Sequence, residues 1–279
     1  MTTLGQNCRC AIPKSPLLFA AFICCAAWSF PVLAKGVASP KVKPVIIAWK
    51  QTGEFPHEPG TFTQGFEIWD AKHFLETTGQ YGQSEIRKVE RKSGTIVSRQ
   101  ALDSQFFGEG VTKIGKDIFQ LTWREGVILK WQFAEKSGFA VVDKIPWSGE
   151  GWGLTSGGGS FWVSNGTDEI FEVDPKYKKA KRSLKVTLSG EPLDKLNELE
   201  FIDGKIFANV WMSSTVVRIN PTSGCIDGLL DLSSLSPKGI NMDSVANGLA
   251  WDAGRKKLYV TGKLWPKVFE LEILSKDKP

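Results

Sequence analysis

Gln64-Gly65-Phe66 returns in altered form as Glu109-Gly110-Val111, Trp152-Gly153-Leu154, Asn197-Glu198-Leu199 and Asn247-Gly248-Leu249. Each is a polar or aromatic residue, then usually glycine, then an apolar residue. Successive first positions lie 45, 43, 45 and 50 residues apart. Roughly ten residues after each comes an apolar-rich run: 73–77, 118–123, 161–165, 206–211 and 258–262. A third run follows in every unit, at 85–89, 126–131, 169–173, 215–219 and 268–273. Short apolar–polar alternation bounded by Gly, Pro, Asn and Asp reads as strand. In the first four units a turn and a fourth strand complete the repeat, as in Thr95-Ile96-Val97 and Ser183-Leu184-Lys185-Val186. No amphipathic helix longer than a couple of turns is evident.

Four strands repeated about every 45 residues mark the blades of a propeller. The fold expected is all-β, a five-bladed β-propeller over residues 35–279. The fifth unit ends near Ile273 without a fourth strand. Pro44-Val45-Ile46-Ile47-Ala48-Trp49-Lys50 has no partner in its own unit and is expected to close the last blade and cover its edge. A β-sandwich explains the spacing less well.

The 279 residues are 42% apolar and 23% charged, as in a globular body. The net charge is +5, and its densest basic run, residues 176–182, sits between strand-like segments as a solvated loop or outer strand. No nucleic-acid partner is expected. The N-terminus carries only Arg9 and Lys14 before Ala34. An apolar run over Leu17–Trp28 and then Val32-Leu33-Ala34 follow, the order of a secretory leader with a small-residue cleavage site. The apolar run is short for a membrane span. Residues 1–34 are expected to be removed, giving an exported, periplasmic or secreted protein of charge +3 with no membrane contact. Of five cysteines only Cys225 would remain, so no internal disulfide forms. With one Cys and the two histidines His57 and His73, a Cys/His zinc site is nearly excluded, as is a Ser-His-Asp triad.

In a propeller the innermost strand of each blade lines the central channel and the second runs antiparallel to it. The starts of the first strands and the ends of the second therefore share one rim. The starts supply Gln64, Glu109, Trp152, Asn197 and Asn247; the ends supply Trp123, Asn165, Trp211 and Lys263. One carboxylate, one lysine, amides and tryptophans are an unusual lining for a structural channel, whereas an apolar concavity with a few convergent polar groups is the usual small-ligand site.

With these residues in place the chain resembles the glutaminyl cyclases of plant and bacterial type. The resemblance runs from Phe55-Pro56-His57-Glu58 through Phe62-Thr63-Gln64-Gly65-Phe66, Phe107-Gly108-Glu109-Gly110, Leu121-Thr122-Trp123 and Gly151-Trp152-Gly153-Leu154. It continues through Leu196-Asn197-Glu198-Leu199-Glu200, Asn209-Val210-Trp211, Asn247-Gly248-Leu249-Ala250 and Val260-Thr261-Gly262-Lys263-Leu264-Trp265-Pro266. Each motif is short; their order and spacing are specific. Phe66 departs from a frequent Leu, and the stretch after Trp211 varies. The resemblance implies a five-bladed propeller and a metal-independent cyclotransferase without cofactor. Such an enzyme converts N-terminal glutaminyl residues of peptides or proteins to 5-oxoprolyl residues and releases ammonia. It implies pocket residues Phe62, Gln64, Phe107, Glu109, Trp123, Trp152, Asn197, Trp211 and Lys263. A monomer is expected.

The substrate's amine must attack as the neutral form, whose ordinary pKa is about 7.7–8.0. Glu109, the only acid among the strand starts, is the candidate to bind the ammonium, take a proton and return it to the departing ammonia. Lys263 and the amides of Gln64 or Asn197 are candidate donors to the oxyanion. The tryptophans would hold the substrate folded for ring closure. Two other readings are a non-catalytic propeller that binds a peptide or protein at the same rim, and a metal-dependent hydrolase, which needs more acidic ligands facing the channel.

Overall fold

The computed structural model describes residues 41–176, 179–238 and 243–274, and the leader and its cleavage point lie outside them. Five sheets follow one another along the chain, each built on four antiparallel strands, the fourth with one short strand added in parallel at its outer edge. Their innermost strands are Thr63–Ile68, Gly108–Ile114, Leu154–Gly157, Leu196–Ile202 and Ala246–Asp252, which define blades 1 to 5. Each innermost strand touches those of the blades on either side, and that of blade 5 touches that of blade 1, so the ring closes. Second strands are almost wholly buried, whereas outer strands such as Gly138–Pro146 and Lys179–Lys185 are largely exposed. Of the basic run, residues 179–182 lie on the outer strand of blade 3 and Lys176 in the turn before it, while residues 177 and 178 are not described.

The apolar residues pack between blades, not within one central core. One cluster fills each seam: Leu75, Ile86, Val111 and Trp131 between blades 1 and 2, Leu121, Ile128, Leu154 and Val163 between 2 and 3, Ile170, Leu196 and Ile206 between 3 and 4. Val216, Leu230, Leu249 and Trp265 fill the seam between 4 and 5, and Phe66, Phe74, Tyr259 and Val268 that between 5 and 1. Two sheet faces meeting at each seam explain why second strands alternate so little: both their faces are covered.

The recurring glycine motif marks a bulge. The pairing of innermost with second strand slips between Thr63 and Gly65, Gly108 and Val111, Leu196 and Leu199, and Ala246 and Leu249. A bulge leaves residues unpaired and re-aims their side chains, and these are Gln64, Glu109, Asn197 and Asn247. The glycine has a second cause. A Cβ on Gly153 would lie 2.0 Å from the Asn197 carbonyl oxygen of the next blade, so only a residue without one allows this approach. Blade 4 has Glu198 at that position. Its carboxylate accepts the backbone N–H of Phe66 at 3.3 Å and of Leu249 at 2.9 Å, tying blade 4 to blades 1 and 5.

The expected closing strand is present but displaced. Trp49–Pro56 pairs antiparallel with Lys267–Ile273, from Trp49 opposite Ile273 to Pro56 opposite Lys267. Val45 and Ile46 instead pair in parallel with Gly228 and Leu229 on the outer strand of blade 4. The N-terminal segment therefore straps blade 4 to blade 5 before closing the ring. The reason the shorter apolar run looked like the closing strand is physical: an outer strand faces water on one side, so the polar Trp49–Pro56 sequence suits it better than Val45-Ile46-Ile47.

Candidate active site

The bulged residues converge on the rim of the channel. Glu109 is only 4% exposed, and its Oε1 accepts the Gln64 side-chain N–H at 3.0 Å. Gln64 is held in turn: its Oε1 accepts the Asn247 amide at 3.1 Å, and that amide also reaches the Thr63 carbonyl at 2.9 Å. A relay from blade 5 through blade 1 to blade 2 thus sets the orientation of the Gln64 amide and directs one of its hydrogens at Glu109. Asn197 is buried, and its Oδ1 has no protein partner. Asn165 binds its own loop at Thr167, so it shapes a turn.

Lys263 enters from the end of the second strand of blade 5 and is 5% exposed. Its backbone N–H is held by the Val245 carbonyl at 2.9 Å, and its Nζ stands 4.6 Å from the centre of the Phe62 ring. Burial pushes the Lys263 ammonium below its usual range, against the opposing pull of Glu109 and Asp243. Burial likewise pushes the Glu109 carboxyl well above its usual range; Lys263 opposes this, while Glu125 and Glu150 add to it. Burial thus works against the charged form of both groups, and each is the main opposing charge on the other.

The aromatic wall is continuous over most of the rim. Phe62 meets Phe107 edge-on at 6.2 Å between ring centres, and Phe107 meets Trp123 at 5.4 Å. Trp152 meets Trp211 edge-on at 5.6 Å. Trp152 lies against Gly166, where a Cβ would come within 2.6 Å of the indole, so this backbone makes room for the ring. Gln64 and Glu109 are bonded to each other, Lys263 and Phe107 both contact Phe62, Phe107 contacts Trp123 and Trp152 contacts Trp211, while Asn197 is tied to blade 3 through its carbonyl, which accepts the Ser164 hydroxyl at 2.7 Å.

Several residues at the site carry no mark in the repeat. Glu150 accepts the indole N–H of Trp123 at 2.9 Å and of Trp152 at 3.0 Å, and Arg124 at 3.0 Å. Glu125 accepts the Tyr81 hydroxyl at 2.7 Å and the Phe107 backbone N–H at 3.3 Å. Neither is a strand start. The available signal was the Glu-Gly pairs at 125–126 and 150–151 echoing that at 109–110. Beyond Glu109, the only acid among the strand starts, the innermost strands carry further carboxylates. Glu67, Glu198 and Glu200 lie on the innermost strands of blades 1 and 4. Glu67 accepts the Lys113 backbone N–H at 2.9 Å and Glu200 that of Trp251 at 2.7 Å. Burial pushes all three upward, Glu67 to about 8 although part of that residue is accessible, because its carboxyl end is enclosed.

The histidines have structural partners. His57 Nδ1 lies 2.7 Å from the Trp265 carbonyl and Nε2 2.7 Å from Glu76 Oε1. Both partners are acceptors, so both ring nitrogens donate and the ring is an imidazolium. Burial opposes that charge, but Glu76 and the carbonyl raise the pKa above its usual value. His73 sits at the exposed side against Asp70. Among the described residues no group of three His, Cys, Asp or Glu is placed to hold a metal ion.

Comparison with known proteins now has a site to refer to. The family model described as glutamine cyclotransferase matches residues 22–273. A glutaminyl-peptide cyclotransferase of Arabidopsis thaliana is 36% identical over 224 residues, 79% of this chain and 69% of that one. The crystal structure of a glutaminyl cyclase from Myxococcus xanthus superposes with a TM-score of 0.76 at 33% identity, covering 84% of this chain and all of that one. Matched along nearly its whole propeller in sequence and in fold, the chain belongs to the glutamine cyclotransferase family.

Proposed function

We propose that the protein is a metal-independent glutaminyl-peptide cyclotransferase, exported and monomeric, in which Glu109 moves the proton that ring closure requires. The observation that carries the catalytic reading is the buried Glu109, held by the Gln64 amide at 3.0 Å and pushed upward in pKa by burial, with Lys263 as its main opposing charge. The substrate's α-amine attacks its own side-chain carbonyl carbon, and a new C–N bond forms as the carbonyl oxygen takes up negative charge. Glu109 accepts a proton from the attacking nitrogen. It returns that proton to the amide nitrogen, whose C–N bond breaks, and ammonia leaves with a 5-oxoprolyl residue as product. Lys263 and the second amide hydrogen of Gln64 suit the oxyanion. Asn197 Oδ1, unpartnered, suits a substrate N–H. The aromatic wall excludes water and keeps the side chain folded over the amine. A mere binding surface gives no reason to bury an acid and a lysine together, since each costs desolvation.

Metal independence rests on where the ligating side chains lie: His57 is engaged with Glu76 and Trp265, His73 with Asp70, and Cys225 is buried in blade 4. Ammonia release from a Gln-initiated dipeptide, with and without a chelator, tests both readings. Turnover is expected to persist in chelator and to fall about 10²–10⁴-fold in Glu109→Gln, with an unchanged circular dichroism spectrum. Zinc-restored activity after chelation would overturn the metal-free mechanism, and near-normal turnover in folded Glu109→Gln would remove that residue from its role. Export rests on the charge and apolar order of residues 1–34. Protein recovered from the periplasm or medium is expected to begin at Lys35 by intact mass, and a full-length cytoplasmic product would contradict it.

A further inference from the structure

The aromatic arc has one break. Ring contacts link Phe62, Phe107 and Trp123 across blades 1 and 2, and Trp152 and Trp211 across blades 3 and 4. Among the described residues no ring contact joins Trp123 to Trp152. Glu150 fills that position: one of its oxygens, Oε2, receives both indole N–H groups, at 2.9 and 3.0 Å. Its other oxygen receives Arg124, whose guanidinium lies 3.7 Å from the centre of the Trp123 ring.

We infer that Glu150 is a positioning residue of the cyclisation site, which locks the two tryptophans from neighbouring blades into one wall and keeps a fixed negative charge within electrostatic reach of the proton-transferring Glu109. The inference rests on the catalytic reading of Glu109. Three things support it. An indole has one N–H and no acceptor, so hydrogen bonding can join two indoles only through an acceptor between them. A carboxylate does this more strongly than a neutral group, because bonds to an ionised acceptor are shorter and about twice as strong. Although half-buried, Glu150 keeps its charge: burial works against it, but the two indoles and Arg124 bring its pKa below the usual carboxylate range.

That charge acts on Glu109 together with its other neighbours. Lys263 from blade 5 favours the ionised Glu109, whereas Glu125 and Glu150 disfavour it, and Tyr81 from the loop of blade 1 stands nearby, bound to Glu125. Gln64 donates to it from blade 1. Removing the Glu150 charge while Lys263 remains therefore lowers the pKa of Glu109 and extends its ionised range toward acid.

The test uses the full-length enzyme, a Gln-initiated dipeptide and the variants Glu150→Gln and Glu150→Asp. Glu150→Gln is expected to raise KM about tenfold or more, the loss of one charge-assisted hydrogen bond. It is also expected to move the acid limb of kcat/KM to lower pH, since that limb reports groups of the free enzyme. Glu150→Asp retains the charge, so its limb should return toward the wild-type position even where KM stays raised by the shorter reach. A role confined to folding would leave the limb in place. A second readout is independent of activity: the indole N–H resonances of Trp123 and Trp152, assigned by Trp→Phe substitution, should both shift upfield in Glu150→Gln. Unmoved indole resonances, or a wild-type KM together with a wild-type limb, overturn the inference. Wild-type enzyme that releases no ammonia would overturn the catalytic reading instead, and the resonances would still decide what Glu150 holds.

Discussion

Glu109 and Lys263 share one physical circumstance: each is buried deeply enough that desolvation works against its charge, and each is the other's main opposing charge. If Lys263 meets the oxyanion, the charge it stabilises exists only beyond the ground state. Its loss should then lower kcat far more than it raises KM. For Lys263→Ala a fall of about 10²–10³ in kcat is expected, equivalent to roughly 2.7–4 kcal/mol. Steady-state measurement of both constants decides it. Should KM alone rise, Lys263 binds the substrate, and the Gln64 amide becomes the leading donor. Gln64 is well placed for that role because Asn247 fixes its orientation.

At the scale of elements, the N-terminal segment divides into two strands with different tasks. Val45–Ile46 extends blade 4, with Ile47 buried behind it, and Trp49–Pro56 completes blade 5. The loop after Pro56 then carries His57, whose N–H binds the Pro266 carbonyl, and Thr61, whose carbonyl binds the Leu264 N–H at 2.7 Å. Ring closure and the placement of Phe62 and Lys263 are therefore one structural event. Truncation through residue 48 should leave a folded, active protein with a lowered denaturation midpoint. Truncation through residue 56 should aggregate, because it bares the edge of Lys267–Ile273 and removes the closing contact. Size-exclusion chromatography and urea unfolding distinguish the two, and a soluble, equally stable product of the longer truncation would show that the ring does not depend on this strand.

For the molecule as a whole, the channel carboxylates set the pH dependence of stability. Glu67, Glu198 and Glu200 have folded pKa values above the ordinary 4.5, Glu67 reaching about 8. The folded state then holds more protons than the unfolded state above 4.5, so stability falls as pH rises through this window, by about 1.4 kcal/mol per pH unit for each proton. His57, raised above its ordinary 6.5, acts in the same direction, since its contribution is complete below that value and lost as pH rises through the folded pKa. Glu76 acts oppositely: burial would raise its pKa, but His57 and Arg87 bring it below the ordinary value, so its contribution is lost in acid. Urea midpoints should therefore fall between pH 6 and pH 9, and Glu67→Gln should flatten that fall. An unchanged slope in this variant would show that Glu67 is ionised in the folded protein.

The blades were legible in the sequence because strand periodicity and turn residues are local, and the motif that recurs in all five units repeats a local bulge in four of them. Glu109, Gln64, Asn197 and Lys263 were legible for the same reason: each occupies an equivalent place in a repeat, and equivalence alone puts it on the rim. Glu150 and Glu125 occupy no equivalent place. Their roles depend on which indole or hydroxyl crosses from a neighbouring blade, and that is decided only when the ring closes. Nothing in the sequence around Glu198 and Glu200 marks the N–H groups of blades 1 and 5 that bind them. Even the closing strand was misplaced by a few residues, because apolar content measures burial whereas an outer strand is chosen by its hydrogen-bonding edge. What the sequence by itself determined is the repeat and the residues each repeat presents. What only the tertiary structure decided is the set of contacts between repeats, which join residues such as those 32, 183 and 208 positions apart whose proximity leaves no trace in either neighbourhood.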